Sequence, residues 1–167
     1  MIFPLYSFAE DESGTVLITG SNRGIGLEFT KQYLERGWTV IATARKPEKA
    51  EDLKQLGIQY PDRLSIHQLD VTDNERIDEL AKELEDQPID LLLNNAGISG
   101  YIPDQIFGRL DYDSFEQVLA VNTVAPLKMS EAFYAHIKSS NLKKIVSVSS
   151  SEGSIGGAYD DESGRMY

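Results

Sequence analysis

Three glycines, Gly20, Gly24 and Gly26, fall within seven positions of the run TGSNRGIG, directly after the apolar residues Val16, Leu17 and Ile18. An apolar strand that breaks into glycines and resumes with Ile25, Phe29 and Tyr33 at helical spacing predicts a strand, a tight turn and a helix. Such a turn aims backbone N–H groups outward at a helix N-terminus, where the dipole favours an anion, and a Cβ on the approach side would block contact. The chemistry this suits is the cradling of a pyrophosphate. The competing reading is that the glycines only let the helix pack closely on the strand. The spacing is GxxxGxG rather than the GxGxxG of the commoner dinucleotide fingerprint.

The end of the second predicted strand bears on that choice. Dinucleotide folds that take NAD place an acid there for the ribose 2′-hydroxyl, whereas those that take NADP place a cation. Here the residues are Thr43, Ala44 and Arg45, with no acid. Arg45, with Arg23 inside the glycine turn, can grip a 2′-phosphate from two sides, since guanidinium suits bidentate phosphate contact. NADP(H) is the expected cofactor. Asn122 is a second candidate for chemistry: it lies on the stripe of Phe115, Val118 and Leu119, at i, i+3, i+4 and i+7, where a core helix places apolar side chains. Four residues on stands Pro126, which has no N–H for the Asn122 carbonyl, so a kink, a free carbonyl and a buried amide are expected together. A satisfied core asparagine beside a proline bend is the plainer alternative.

The elements that must hold these residues alternate along the chain. Strands are predicted at 16–19, 38–45, 64–70, 89–94 and 143–150, the fourth apolar nearly throughout, as a covered parallel strand should be. Helices are predicted from Ile25 to Gly37, over 47–56 opened by Pro47 and closed near Gly57, over 73–86 capped by Thr72 or Asp73, and as one long helix from Ser114 to His136. Between the fourth strand and that helix, 101–113 reads as a polar loop. Five strands alternating with four helices give a doubly wound parallel α/β sheet, with the glycine turn after the first strand where such folds bind ligands.

Composition narrows the function. At 167 residues the chain accommodates a single domain over 1–167. A net charge of −11 argues against a nucleic-acid surface. No apolar stretch reaches membrane-spanning length, and the opening segment lacks the basic start of a secretory signal. Without cysteine there is no disulfide framework and no thiolate metal site, so no metal is expected and the cytoplasm is the default compartment.

TGSNRGIG after the first strand, with NNAG at 94–97 after the fourth, resembles the short-chain dehydrogenase/reductase family, and LDVTD after strand three and VNTVAP in the long helix agree. The resemblance runs from about Thr15 to the end; within the family, SSSEGSI and the polar tail look most like the C-factor-like carbonyl reductases. It implies a Rossmann-type sheet and a small carbonyl or alcohol substrate. It also implies cofactor contacts from Gly20, Ser21, Asn22, Arg23, Gly24, Ile25 and Gly26, with Arg45 at the extra phosphate. Asp70 and Val71 take the place of the family's adenine contacts, and Asn94, Ala96 and Gly97 lie along the cofactor. By the S-x-x-G pattern ending at Gly153, Ser150 is the catalytic serine, with Ser149 the next choice; a hydrogen-bonded strand end is the ordinary role of serines in such a run. The family counterpart of Asn122 supports an active-site water.

The family's acid is a tyrosine followed four residues later by a lysine, which a phenol ionising near about pH 10 needs beside it. No lysine follows Lys144, and the common family spacing from Ser150 falls on Ser163. Members with a longer loop place the acid later, making Tyr167 the candidate, with GRMY ending at the acid or just short of it. The sequence is therefore expected to be a fragment of a longer, homo-oligomeric reductase, inactive alone, with strand five and the Phe133 side of the helix uncovered. The alternative is a non-catalytic nucleotide-binding or signalling protein.

Overall fold

The structure, a computed structural model, describes residues 13–100 and 107–150. Five strands form one sheet: β1 (Thr15–Ile18), β2 (Thr39–Ala44), β3 (Leu64–Gln68), β4 (Leu91–Asn94) and β5 (Lys144–Ser147). Their spatial order is β3-β2-β1-β4-β5, every pairing parallel. Because strand side chains alternate, β1 feeds two cores. Leu17, Ile41 and Leu92 join one cluster, while Val16, Ile18, Val40, Leu91 and Leu93 join the other. Both faces are therefore covered around β1, as the near-continuous apolar runs predict.

The helices divide between the two faces. Leu34 of α1 (Gly24–Glu35) and Leu53 of α2 (Glu51–Gln59) pack into the second cluster. Ile77 and Leu80 of α3 (Asn74–Glu83) fill the first. Gly37, at φ +87°, takes the left-handed position beyond α1 that a side chain would resist. Asp73, not Thr72, caps α3, its carboxylate accepting the Arg76 N–H at 3.0 Å. Thr72 instead donates its hydroxyl to Asp70 at 2.8 Å.

Some of these expectations need correction. Pro47 opens a separate three-ten turn, Pro47–Lys49, and α2 begins at Glu51 and runs through Gly57 to Gln59. The long helix is broken into α4 (Tyr112–Leu119), a π-helical turn (Ala120–Val124), α5 (Ala125–Ala132) and α6 (Tyr134–Ser139). It docks onto the first cluster through Ala125, Met129, Phe133 and Ile137 at fourfold spacing, with Val121 of the π turn partly buried against the same cluster. Phe115 and Leu119 are thus 43% and 41% exposed rather than core residues. Phe133 is fully buried, so the uncovered side is the one bearing Val124, Leu127 and Tyr134. All of β5 is exposed.

Candidate functional site

The loops at the carboxyl ends of β1, β2, β3 and β4 enclose a cleft of about 800 Å³. It opens at the end of β1, between β2 and β4, where the strand order reverses as the chain crosses from β3 to β4 on the other side of β1, the switch point at which open α/β sheets bind ligands. Of the expected cofactor residues, Gly20, Asn22, Arg23, Gly24, Ile25, Gly26, Arg45, Asp70, Val71, Ala96 and Gly97 line it. Ser21 and Asn94 do not.

The glycines of the turn serve different ends. Gly20 has φ +72°, and a Cβ there would lie 3.0 Å from the Ala96 Cα. Gly24 has φ +56° but a Cβ would meet nothing within 4 Å, so its need is conformational and its outer side is open to the cleft. At Gly26 a Cβ would fall 2.2 Å from the Gly20 carbonyl oxygen and 2.4 Å from Asn95 Nδ2. Left-handed backbone therefore explains Gly24, while close packing, the competing reading, explains Gly26.

Ser21 works from inside the turn. It is fully buried, its hydroxyl donating to the Ile18 carbonyl at 3.0 Å and its N–H to Thr43 at 2.8 Å. The turn is tied to β4 by Asn95, which the sequence reading passed over in favour of Asn94. Asn95 Nδ2 donates to the Thr19 and Gly20 carbonyls at 2.9 and 3.2 Å, while Thr19 Oγ1 accepts from the Asn95 and Ala96 N–H groups, both at 3.0 Å. Asn94 is 4% exposed, and neither of its amide atoms meets a partner.

This lattice leaves the start of α1 free for a ligand. Arg23 is its N-cap, no side chain caps it, and no acid occupies the first turn. Uncapped N–H groups facing a cleft form an anion site. Four cations stand around it: Arg23, Arg45, Lys46 and Lys49 all line the cleft, and none takes part in an ion pair among the described residues. In a chain of net charge −11 that is a local reversal of sign. Lys46 and Lys49 lie beyond the strand end on which the sequence expectation rests, and their i, i+3 spacing around Pro47 is the signal for them in the sequence.

Behind Ile98, the π turn presents Asn122, which does not itself line the cleft, whereas its neighbour Val121 does. Its Oδ1 accepts the Ile98 N–H at 3.0 Å and its Nδ2 donates to the Ile98 carbonyl at 2.8 Å, a reciprocal clamp on the chain leaving β4. The amide is exposed, not buried as its stripe position suggested, because the helix around it does not lie on the sheet. The bend takes the form of an i+5 bond, Ala125 N–H to the Ala120 carbonyl, a π turn of the sort often found at functional sites. Ser150 follows β5 on the exposed side. Tyr167 and Gly153 lie outside the described residues.

Beside the Asp70 wall of the cleft, Arg76 anchors β3. Its Nε donates to the Gln68 carbonyl at 3.2 Å, and its fork grips Glu83 at 2.6 and 3.1 Å. That pair holds the Glu83 carboxyl below its ordinary range and the Arg76 guanidinium above its own. Burial pushes the neighbouring His67 down, with the Glu83 charge opposing and the Arg76 charge reinforcing.

A parallel Rossmann-type sheet with this turn and cleft defines a nucleotide-binding α/β protein. The sequence profile of the short chain dehydrogenase family matches residues 14–160, and the chain belongs to that family. It is 35% identical to the (+)-neomenthol dehydrogenase of Arabidopsis thaliana, over 88% of this chain and 57% of that protein. Among solved structures, a short-chain dehydrogenase/reductase from Burkholderia multivorans with bound NADP superposes with a TM-score of 0.78 at 33% identity, covering 92% of this chain and 64% of that one. The NADPH-bound carbonyl reductase from chicken fatty liver gives 0.78 at 34% identity, covering 87% and 62%. The chain thus spans somewhat under two thirds of the length of these relatives. Among the described residues, no helix is long and apolar enough to cross a membrane.

Proposed function

We propose that this chain binds NADP(H) in the cleft and forms the cofactor half of a short-chain oxidoreductase that interconverts a small carbonyl compound and its alcohol. The observation that carries the reading is the uncapped α1 N-terminus beside a cleft lined by four cations that take part in no ion pair among the described residues. The α1 amides and Gly24 hold the pyrophosphate, Arg23 and Arg45 the 2′-phosphate, and Asp70 with Val71 the adenine side. Asp70 Oδ1 already accepts from the Thr72 N–H and hydroxyl at 3.0 and 2.8 Å, which fixes that wall. Ala96 and Gly97 flank the cofactor's path, kept in place by the Asn122 clamp on Ile98.

When bound, the cofactor supplies or accepts a hydride at the substrate carbon. The chain's remaining task is to orient the carbonyl oxygen and manage its proton. In this reading the Ser150 hydroxyl orients that oxygen, Tyr167 is the acid, and the π turn around Asn122 positions the proton path. Carbonyl reduction is the favoured reaction class, in a homo-oligomer for the whole protein.

Calorimetric titration of the chain with NADPH and NADH tests the reading. NADPH is expected to bind at least about tenfold tighter. Equal affinity would remove the NADP(H) preference, and no binding of either at millimolar concentration would remove the cofactor assignment.

A further inference from the structure

One wall of the cleft is the stretch 68–71, all four residues of which line it. The stretch starts at Gln68, the last residue of β3, and the chain enters α3 two residues beyond it, at the N-cap Asp73. Among the described residues β3 is an edge strand, with β2 on one side. The Leu69 N–H donates to Ala44 of β2 at 3.0 Å. Across a trans peptide the Gln68 carbonyl therefore points the other way, off the free edge. Arg76 meets it there. Its guanidinium Nε donates to that carbonyl at 3.2 Å, while its backbone N–H donates to the Asp73 carboxylate at 3.0 Å. One residue thus holds both ends of the wall. The guanidinium is itself held: Glu83, two turns along α3, grips Nη1 at 2.6 Å and Nη2 at 3.1 Å, and Glu79 stands 3.5 Å from Nη1. A fork-to-fork contact fixes the plane of a guanidinium as well as its position. With 19% of its side chain exposed, Arg76 lies against protein, unlike the partners of an ordinary surface ion pair.

We propose that Arg76 is a positioning residue for nucleotide binding, clipping the end of β3 to the start of α3 so that the wall 68–71 is set before the ligand arrives, and that Glu83 acts through Arg76. This rests on the reading that the cleft takes NADP(H) with its adenine on that wall. Without the clip the Gln68 carbonyl turns to water and the wall keeps its attachments to Ala44 and to the α3 cap alone. The ligand must then order part of the stretch as it binds, which amounts to about a three- to tenfold loss of affinity. NADPH and NADH share the adenine, so both weaken alike.

The test is calorimetric titration of wild type, Arg76→Gln, Arg76→Lys, Glu83→Gln and the double variant Arg76→Gln/Glu83→Gln with NADPH and NADH, with thermal melts as a folding control. Both single Gln variants are expected to lose about three- to tenfold in affinity for either nucleotide, and the double variant no more than Arg76→Gln alone. Arg76→Lys is expected to fall between, because one ammonium group cannot serve Gln68 and the Glu83 fork together. Hydrogen exchange at the Leu69 and Asp73 amides should quicken at least about fivefold in both single Gln variants before any ligand is added. If Arg76→Gln fails to fold, Glu83→Gln, of the same size and on an exposed helix face, carries the test. Unchanged affinity or unchanged exchange in Glu83→Gln overturns the assignment, as does full affinity in Arg76→Lys, which would make charge alone sufficient. Losses that add in the double variant overturn the role of Glu83 through Arg76, and weakening of NADPH alone overturns the role of the wall. If wild type binds both nucleotides equally, the NADP(H) preference fails while this assignment is still decided by the variants. If it binds neither, the cofactor reading fails and takes this assignment with it.

Discussion

Adding one methyl group at Gly26 sets two well-understood effects against each other. Gly26 lies within α1, and helix propensity alone predicts that Gly26→Ala stabilises by about 0.5–1 kcal/mol. The structure predicts the opposite sign. The new Cβ would fall 2.2 Å from the Gly20 carbonyl oxygen and 2.4 Å from Asn95 Nδ2, the former a backbone atom that cannot rotate away. Relief requires moving α1 off the turn or expelling the Asn95 amide from its bonds to Thr19 and Gly20. Overpacking of this kind costs about 1–3 kcal/mol, and each lost hydrogen bond about 1. After subtracting the propensity gain, the net destabilisation is about 2–3 kcal/mol, a melting-temperature drop of about 5–10 °C. Circular dichroism melts of the two proteins measure it. A variant melting at or above the wild-type temperature would refute the packing account of this glycine.

Other perturbations probe the supports of the site. Asp90, 8% exposed, accepts the N–H groups of Thr15, Asn141 and Leu142, tying β1 to the loop before β5. Asp90→Ala strands those donors and is expected to cost about 2–4 kcal/mol in urea unfolding; a loss under half of that would mean water replaces the carboxylate. Asn122→Ala is expected to change stability little, since its bonds are exposed, but to speed hydrogen exchange at the Ile98 amide; unchanged exchange would sink the clamp. Because burial lowers the His67 pKa below its ordinary 6.5, the fold is penalised only when that ring is protonated. Stability should therefore fall as pH drops from about 7 to about 5, and His67→Gln should flatten that slope. The contribution of Glu83, whose pKa is depressed, fades only at lower pH, as the solution passes through and below the usual carboxylate range, so the two effects separate.

The parallel sheet was legible because β1 and β4 are buried on both faces, which forces nearly unbroken apolar runs. Most of the cleft was legible too, since a glycine turn and the end of β2 are local features of the chain. What could not be read came from tertiary contact. The strand pattern gives no reason to choose between Asn94 and Asn95; only the approach of β4 to the turn makes Asn95 the clamp. The stripe through Phe115 and Asn122 has the period of a buried face, but period records amphipathicity and not what covers it. Pro126 announced a bend, and the i+5 form that bend takes depends on α5 docking through Met129 and Phe133 while α4 does not dock.

Whether the β1–α1 turn and the cations beyond β2 together receive the cofactor is read out by NMR titration of the labelled chain with NADPH. Saturable shifts are predicted at the amides of Gly20, Gly24, Ile25 and Gly26, at Arg45, Lys46 and Lys49, and at Ala96 to Ile98, with NADH moving the Arg45 to Lys49 group much less. Shifts centred elsewhere, or none at millimolar NADPH, would contradict the account.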